Sequence, residues 1–237
     1  MADVATPERH RQPTDPAVNQ VHALEHEPHL MHHFDDMGQQ REAATLGMWV
    51  FLITEVLFFG GLFTAYMVYR VWYPSTFGIA SRELSIWSGS MMTVVLITSS
   101  LTMAMAVHAA ALGKRTHIVG FLGLTLVLGI VFVAMKFMEY YHEYLSHHIP
   151  GHGFQIEGAD PNNAQIFFSL YFTMTGLHAL HMFIGFGIIL TMMWMAWRNY
   201  FSERWHTPVE VAGLYWHFVD IIWIFLFPLL YLIDRHK

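Results

Sequence analysis

Five apolar stretches, each at or above the ~20 residues that cross a hydrocarbon core, constrain this 237-residue chain more than any other feature. They lie near Ala43–Tyr69, Leu84–Leu112, His117–Tyr144, Ala164–Trp197 and Pro208–Ile233. The breaks between them are Tyr73-Pro74-Ser75, Gly113-Lys114-Arg115, the loop from Pro150 to Asn163, and Arg198 to Thr207. In lipid every backbone N–H and C=O must be satisfied inside the protein, so a span is a helix or part of a closed barrel. Segments this long and this continuously apolar are helices. The expected fold is all-α, a polytopic membrane protein with five transmembrane helices in one bundle over residues 43–237. Charged residues make up 13% of the chain, about half the share of a soluble domain. The absence of Cys excludes disulfides and thiolate metal sites. A formal charge of −6 argues against nucleic acid as a partner, because a phosphate backbone demands clustered Lys and Arg.

Residues 1–42 form an arm ahead of the first span. Pro7, Pro13, Pro16 and Pro28, with few large apolar groups, leave it unable to bury a core of its own, and it is expected to be mostly disordered. His22, His26, His29, His32 and His33 invite a metal reading. A compositional His-rich arm, or a short surface helix ending near Gly38, is the more ordinary account. No secretory signal peptide is visible, so the first span is expected to act as its own insertion signal. Arg9, Arg11, Arg41, Lys114, Arg115, Arg198 and Arg204 fall on one side of the membrane against Arg70, Arg82, Arg235 and Lys237 on the other. That excess predicts a cytoplasmic N-terminus, with the C-terminus and the loop His147–His152 outside.

Polar residues inside the spans need a reason, because burying them in hydrocarbon is costly. Span one carries Glu55 near its centre. It is either a functional carboxyl or an interhelical hydrogen bond that only packs. Span two offers Thr93, Thr98, Ser99, Ser100 and Thr102, small hydroxyls that let helices approach. Span three ends with Lys136 and Glu139 one turn apart, read as a surface ion pair in an aromatic belt at the outer interface. Span four places His178 and His181 on one helical face, and span five carries His217 and Asp220 three residues apart. These groups could ligate haem or a metal together. Equally, Glu55, His178, His181, His217 and Asp220 could form a hydrogen-bonded polar seam between spans one, four and five. Arg198, Arg204 and His206 are placed to meet anionic phospholipid headgroups, although a positive-inside signal explains the two Arg equally well.

Four segments together resemble subunit III of the haem-copper terminal oxidases, the cytochrome c and quinol oxidases. They are Leu46-Gly-Met-Trp-Val-Phe-Leu-Ile-Thr-Glu-Val-Leu-Phe-Phe-Gly-Gly-Leu-Phe63, Glu139-Tyr140, Phe172-Thr-Met-Thr-Gly-Leu-His-Ala-Leu-His-Met-Phe-Ile-Gly185, and Tyr215-Trp-His-Phe-Val-Asp-Ile-Ile-Trp223. Their order and spacing match as well, over roughly Leu46 to Ile233. The family's seven-helix members carry two further helices before the segment matching span one, and this chain resembles the five-helix bacterial form. The resemblance implies a non-catalytic subunit that itself holds no haem, copper or other metal and has no catalytic residue. Haem and copper belong to its partners. It further implies packing beside catalytic subunit I and the other subunits, a place in a respiratory supercomplex, support of proton uptake, resistance to turnover inactivation, and residence in the bacterial inner membrane. The family's intramembrane carboxylate falls on Glu55, its paired histidines on His178 and His181, and its Trp-His-Phe-x-Asp on His217 and Asp220. Two alternatives stand beside this one: a membrane redox protein using its intramembrane His, and a five-helix accessory protein of a nitric oxide reductase.

Overall fold

The computed structural model describes residues 30–202 and 205–233. Its helices are α1 (Met37–Trp72), α2 (Pro74–Glu83), α3 (Ile86–Ala111), α4 (Arg115–Leu145), α5 (Pro161–Trp197) and α6 (Thr207–Tyr231). Residues up to Ala43 form one compact unit and those from Ala44 onward another. Within the first, Asp36 Oδ1 accepts from the Gln39 N–H at 2.7 Å, the side-chain cap that starts an α-helix. Gly38 therefore sits in the first turn of α1 rather than at the end of a short surface helix. His22, His26 and His29 lie outside the described residues, while the His32 and His33 rings pack edge to face, 4.9 Å apart.

Helices α1, α3, α4, α5 and α6 are each long and apolar enough to cross a membrane, as the five apolar segments predict. Helix α5, with 37 residues, measures roughly 55 Å at 1.5 Å per residue, well beyond a hydrocarbon core of about 30 Å.

Helix α2 falls where the sequence reads only as an interruption. Pro74 occupies its first turn, where a missing N–H costs nothing, and Phe77, Ala80 and Ser81 are buried against the bundle. Its packing solves a problem at the end of α6. The last four carbonyls of a helix have no intrahelical partner. Here Ser81 Oγ donates to the Leu230 carbonyl at 2.8 Å, and Tyr66 Oη of α1 donates to the Leu229 carbonyl at 2.5 Å.

Small residues set the packing of the second unit. Helices α3 and α4 share the most extensive contact, with Thr102 Oγ1 2.8 Å from Thr125 Oγ1, and Ala106, Ala109 and Ala110 of α3 are buried. A tight turn joins them. Gly113 takes φ of 64°, and the Lys114 and Gly113 N–H groups close back on the Ala109 and Ala110 carbonyls, 3.0 Å each, which is a Schellman ending. Trp216 of α6 is fully buried at the centre. A Cβ on Gly185 would lie 2.9 Å from its Cζ3, and a Cβ on Gly129 3.0 Å from its Cη2. The indole fits only because α4 and α5 both present glycine, and its Nε1 donates to Ser99 Oγ of α3 at 3.0 Å. Helix α1 is peripheral: it meets the others through aromatic side chains such as Phe59 on Phe218, and turns residues such as Leu57 and Val71 outward.

Candidate functional site

The polar side chains expected inside the spans separate into distinct groups. Glu55 Oε2 of α1 lies 3.1 Å from His181 Nε2 of α5, and the other ring nitrogen, Nδ1, lies 2.8 Å from the Leu177 carbonyl. A neutral imidazole donates from one nitrogen and accepts at the other, and an imidazolium donates from both. The His181 ring stands between the Glu55 carboxyl on α1 and a carbonyl of its own helix. Tyr215 of α6 completes the group: its Oη donates to the His181 carbonyl at 3.0 Å, and its ring stacks on Phe51 of α1.

His178 faces elsewhere. It is buried between Phe132 of α4 and Trp223 of α6, ring centroids 5.5 and 5.4 Å away, and neither ring nitrogen has a hydrogen-bond partner among the described residues. His217 Nδ1 lies 2.7 Å from Ser100 Oγ of α3. Asp220, on the same side of α6, is buried with Ser100 as a polar neighbour, yet neither of its carboxyl oxygens makes a hydrogen bond among the described residues. The seam expected between spans one, four and five is thus divided. Glu55 and His181 join the first and fourth spans, whereas His217 and Asp220 face the second. The side chain that carries α6 to Glu55 and His181 is Tyr215, which sequence reading passed over. Among the described residues no three His, Asp or Glu side chains converge in a way that could hold a metal ion.

The pair Lys136 and Glu139 forms, at 2.9 Å, but it is not a surface pair. Both residues are buried, with 3% and 8% of their surface exposed. The ammonium has three protons to donate, and three acceptors surround it: Glu139 Oε1, Tyr171 Oη of α5 at 2.9 Å and Tyr231 Oη of α6 at 2.8 Å. The tyrosines in turn donate to Glu139 Oε1, and Ser88 Oγ of α3 approaches Oε2 at 3.4 Å. The Tyr171 ring also lies 4.4 Å from the ammonium, a cation–π distance. One turn on, Glu143 Oε2 is 2.6 Å from His148 Nδ1. Four helices therefore meet on one enclosed ion pair. The spacing of Lys136 and Glu139 was legible, but Tyr171 and Tyr231 lie far away in sequence and gave no local signal.

At the opposite end, the Arg198 guanidinium lies over the Trp194 ring at 5.1 Å, and His206 Nε2 pairs with Glu210 Oε1 at 3.3 Å. Arg204 lies outside the described residues.

The polar groups described lock helices to one another: Glu55 with His181, Ser100 with His217, and Lys136 with Glu139, Tyr171 and Tyr231. Comparison with known proteins places the chain. The model of the family described as cytochrome c oxidase subunit III matches residues 31–234. The chain belongs to the cytochrome c oxidase subunit III family. It is 34% identical over 188 residues to cytochrome c oxidase subunit 3 of Synechocystis sp., covering 79% of this chain and 74% of that one. It is 33% identical over 210 residues to cytochrome c oxidase subunit 3 of Thermostichus vulcanus, covering 85% and 92%. It is 28% identical over 202 residues to cytochrome bo(3) ubiquinol oxidase subunit 3 of Pseudomonas aeruginosa, covering 85% and 90%. As a subunit III of the haem-copper oxidases, with five helices among the described residues long and apolar enough to cross a membrane, it is a multi-pass membrane protein of aerobic electron transport.

Proposed function

We propose that this chain stabilises the haem-copper catalytic subunit of a respiratory oxygen reductase in the bacterial inner membrane and supports that subunit's proton uptake. The observation that carries the reading is the Glu55–His181 pair, a carboxyl and an imidazole 3.1 Å apart near the middle of α1 and α5, in a subunit of a complex that takes up protons. Its polar groups are spent on locking helices together, which suits a supporting role. Haem and copper reside in the partner subunits, and this chain contributes no metal ligand. Its N-terminus lies in the cytoplasm and its C-terminus outside. Arg115, which donates to the Trp197 carbonyl, thereby joins the α3–α4 turn to the end of α5 on the cytoplasmic side, where Arg198 stands beside Trp194 to meet phospholipid headgroups.

The test is purification through an affinity tag on this chain from membranes of the native host, followed by a visible spectrum and metal analysis. The expected result is a complex with haem and copper in which the oxygen-reducing subunit is present. A tagged chain that brings down no haem-bearing subunit would overturn the proposal. Comparison of proton uptake and of turnover number before inactivation, with and without this chain, tests the supporting role.

A further inference from the structure

Asp220 is a buried carboxyl whose polar neighbours in its cleft include Ser100 and His217. It is 3% exposed, neither oxygen makes a hydrogen bond among the described residues, and it lines a cleft of about 390 Å³ between α3 and α6 that opens to the outside of the bundle. Ser100 and His217 share the floor of that cleft. The Ser100 hydroxyl, 2.7 Å from His217 Nδ1, has a single proton. Turned toward Asp220 it would serve one lone pair of a group that accepts about four hydrogen bonds. The rim is large and apolar: Ile97, Leu101, Ile221 and Ile224 are 54%, 61%, 48% and 46% exposed. Inside a membrane, an ionisable group recessed in apolar surface is met by protein rather than lipid, and polar side chains there hydrogen-bond across helix contacts.

Depth identifies the occupant. Ser100 is near the middle of α3 (Ile86–Ala111) and Asp220 near the middle of α6 (Thr207–Tyr231), so at 1.5 Å per residue a headgroup at either surface is roughly 15–20 Å away. A lipid chain at that depth offers no donor, and a carboxyl left unmet in hydrocarbon is costly. A transmembrane helix of another subunit supplies both what the rim wants and what the floor lacks.

We propose that the α3/α6 cleft is a docking site for a transmembrane helix of the oxidase, which inserts a hydrogen-bond-donating side chain, a hydroxyl, amide or cation, between Ile97 and Ile224 to reach Asp220. The inference rests on the reading of this chain as an oxidase subunit and names the surface by which it associates.

The test is photo-crosslinking in native membranes. A benzophenone side chain replaces Ile97 or Ile224 in the tagged full chain, and the adducts are identified by mass. The expected adduct is with a polypeptide of the haem-bearing complex. Its yield falls about tenfold in Asp220→Leu, which removes a desolvated acceptor, and stays within about twofold in Asp220→Asn, whose amide still accepts. Because the crosslink is also read with Asp220 intact, a poorly accumulating Leu variant does not blunt the test. Adducts with lipid alone, in a preparation whose visible spectrum proves the complex intact, overturn this inference and leave the proposed function standing. A tagged chain that recovers no haem-bearing subunit overturns both.

Discussion

Lys136 Nζ lies 2.9 Å from Glu139 Oε1, and the pair is shut from solvent by Tyr171 and Tyr231, each bonded to both charges. Desolvating two charges is expensive, and what repays it is complete satisfaction of the ammonium, whose three protons all have acceptors. Removing one partner leaves the other buried and uncompensated. Lys136→Met and Glu139→Leu are each expected to destabilise the bundle by about 3–5 kcal/mol, while the double variant loses far less. Thermal unfolding in detergent, read as a double-mutant cycle, measures this; equal losses for the singles and the double would contradict it.

Gly185 is a socket for Trp216. A methyl there would meet Trp216 Cζ3 at 2.9 Å, and on Gly129 it would meet Phe186 Cε1 at 2.6 Å, whereas a Cβ on Gly176 meets nothing within 4 Å. Overpacking of this kind costs about 1–3 kcal/mol. Gly185→Ala and Gly129→Ala should therefore lower the unfolding temperature, and Gly176→Ala, on the same helix as Gly185, should not.

Glu55 holds α1 to α5 through His181. An amide retains an acceptor for that ring, so Glu55→Gln is expected to leave assembly of the complex largely intact. Glu55→Leu strips the partner from His181 and weakens helix association by about 1 kcal/mol, the scale of intramembrane hydrogen bonds. Yield of intact complex per cell separates the two variants. Equal yield for Glu55→Leu and wild type would count against a structural role.

Tyr66 and Ser81 cap the carbonyl end of α6. Tyr66→Phe and Ser81→Ala keep most of the packing and remove one donor each, leaving the Leu229 or Leu230 carbonyl unmet at a cost of about 1–3 kcal/mol. Hydrogen exchange at the last turn of α6 should accelerate in both variants, with the middle of the helix unchanged.

Length and apolar continuity were enough to place five membrane helices, because a bilayer imposes its own thickness on any chain that crosses it. The residues that carry the family resemblance include Glu55 and His181, which pair across α1 and α5, and Trp216 and Asp220, both buried on α6. Helix α2 escaped notice because ten residues of mixed polarity around Pro74 look like a loop until Phe77 packs on Tyr66 and Phe167 and Ser81 finds the end of α6.

What the amino acids determined alone was that these helices exist, how they are ordered, and that ionisable groups inside them must be met by partners. Which partners they find was decided by the tertiary structure. In a soluble helix an apolar stripe reveals which side faces the core, but these helices are apolar all round, since lipid and protein interior are alike in polarity. The rotation of α6 is thus set by packing, chiefly by Trp216 between Gly129 and Gly185. That rotation sends Tyr215 to Glu55 and His181, turns His217 and Asp220 toward Ser100, and carries Tyr231 over Lys136, converting a spacing that read as a surface ion pair into a buried lock.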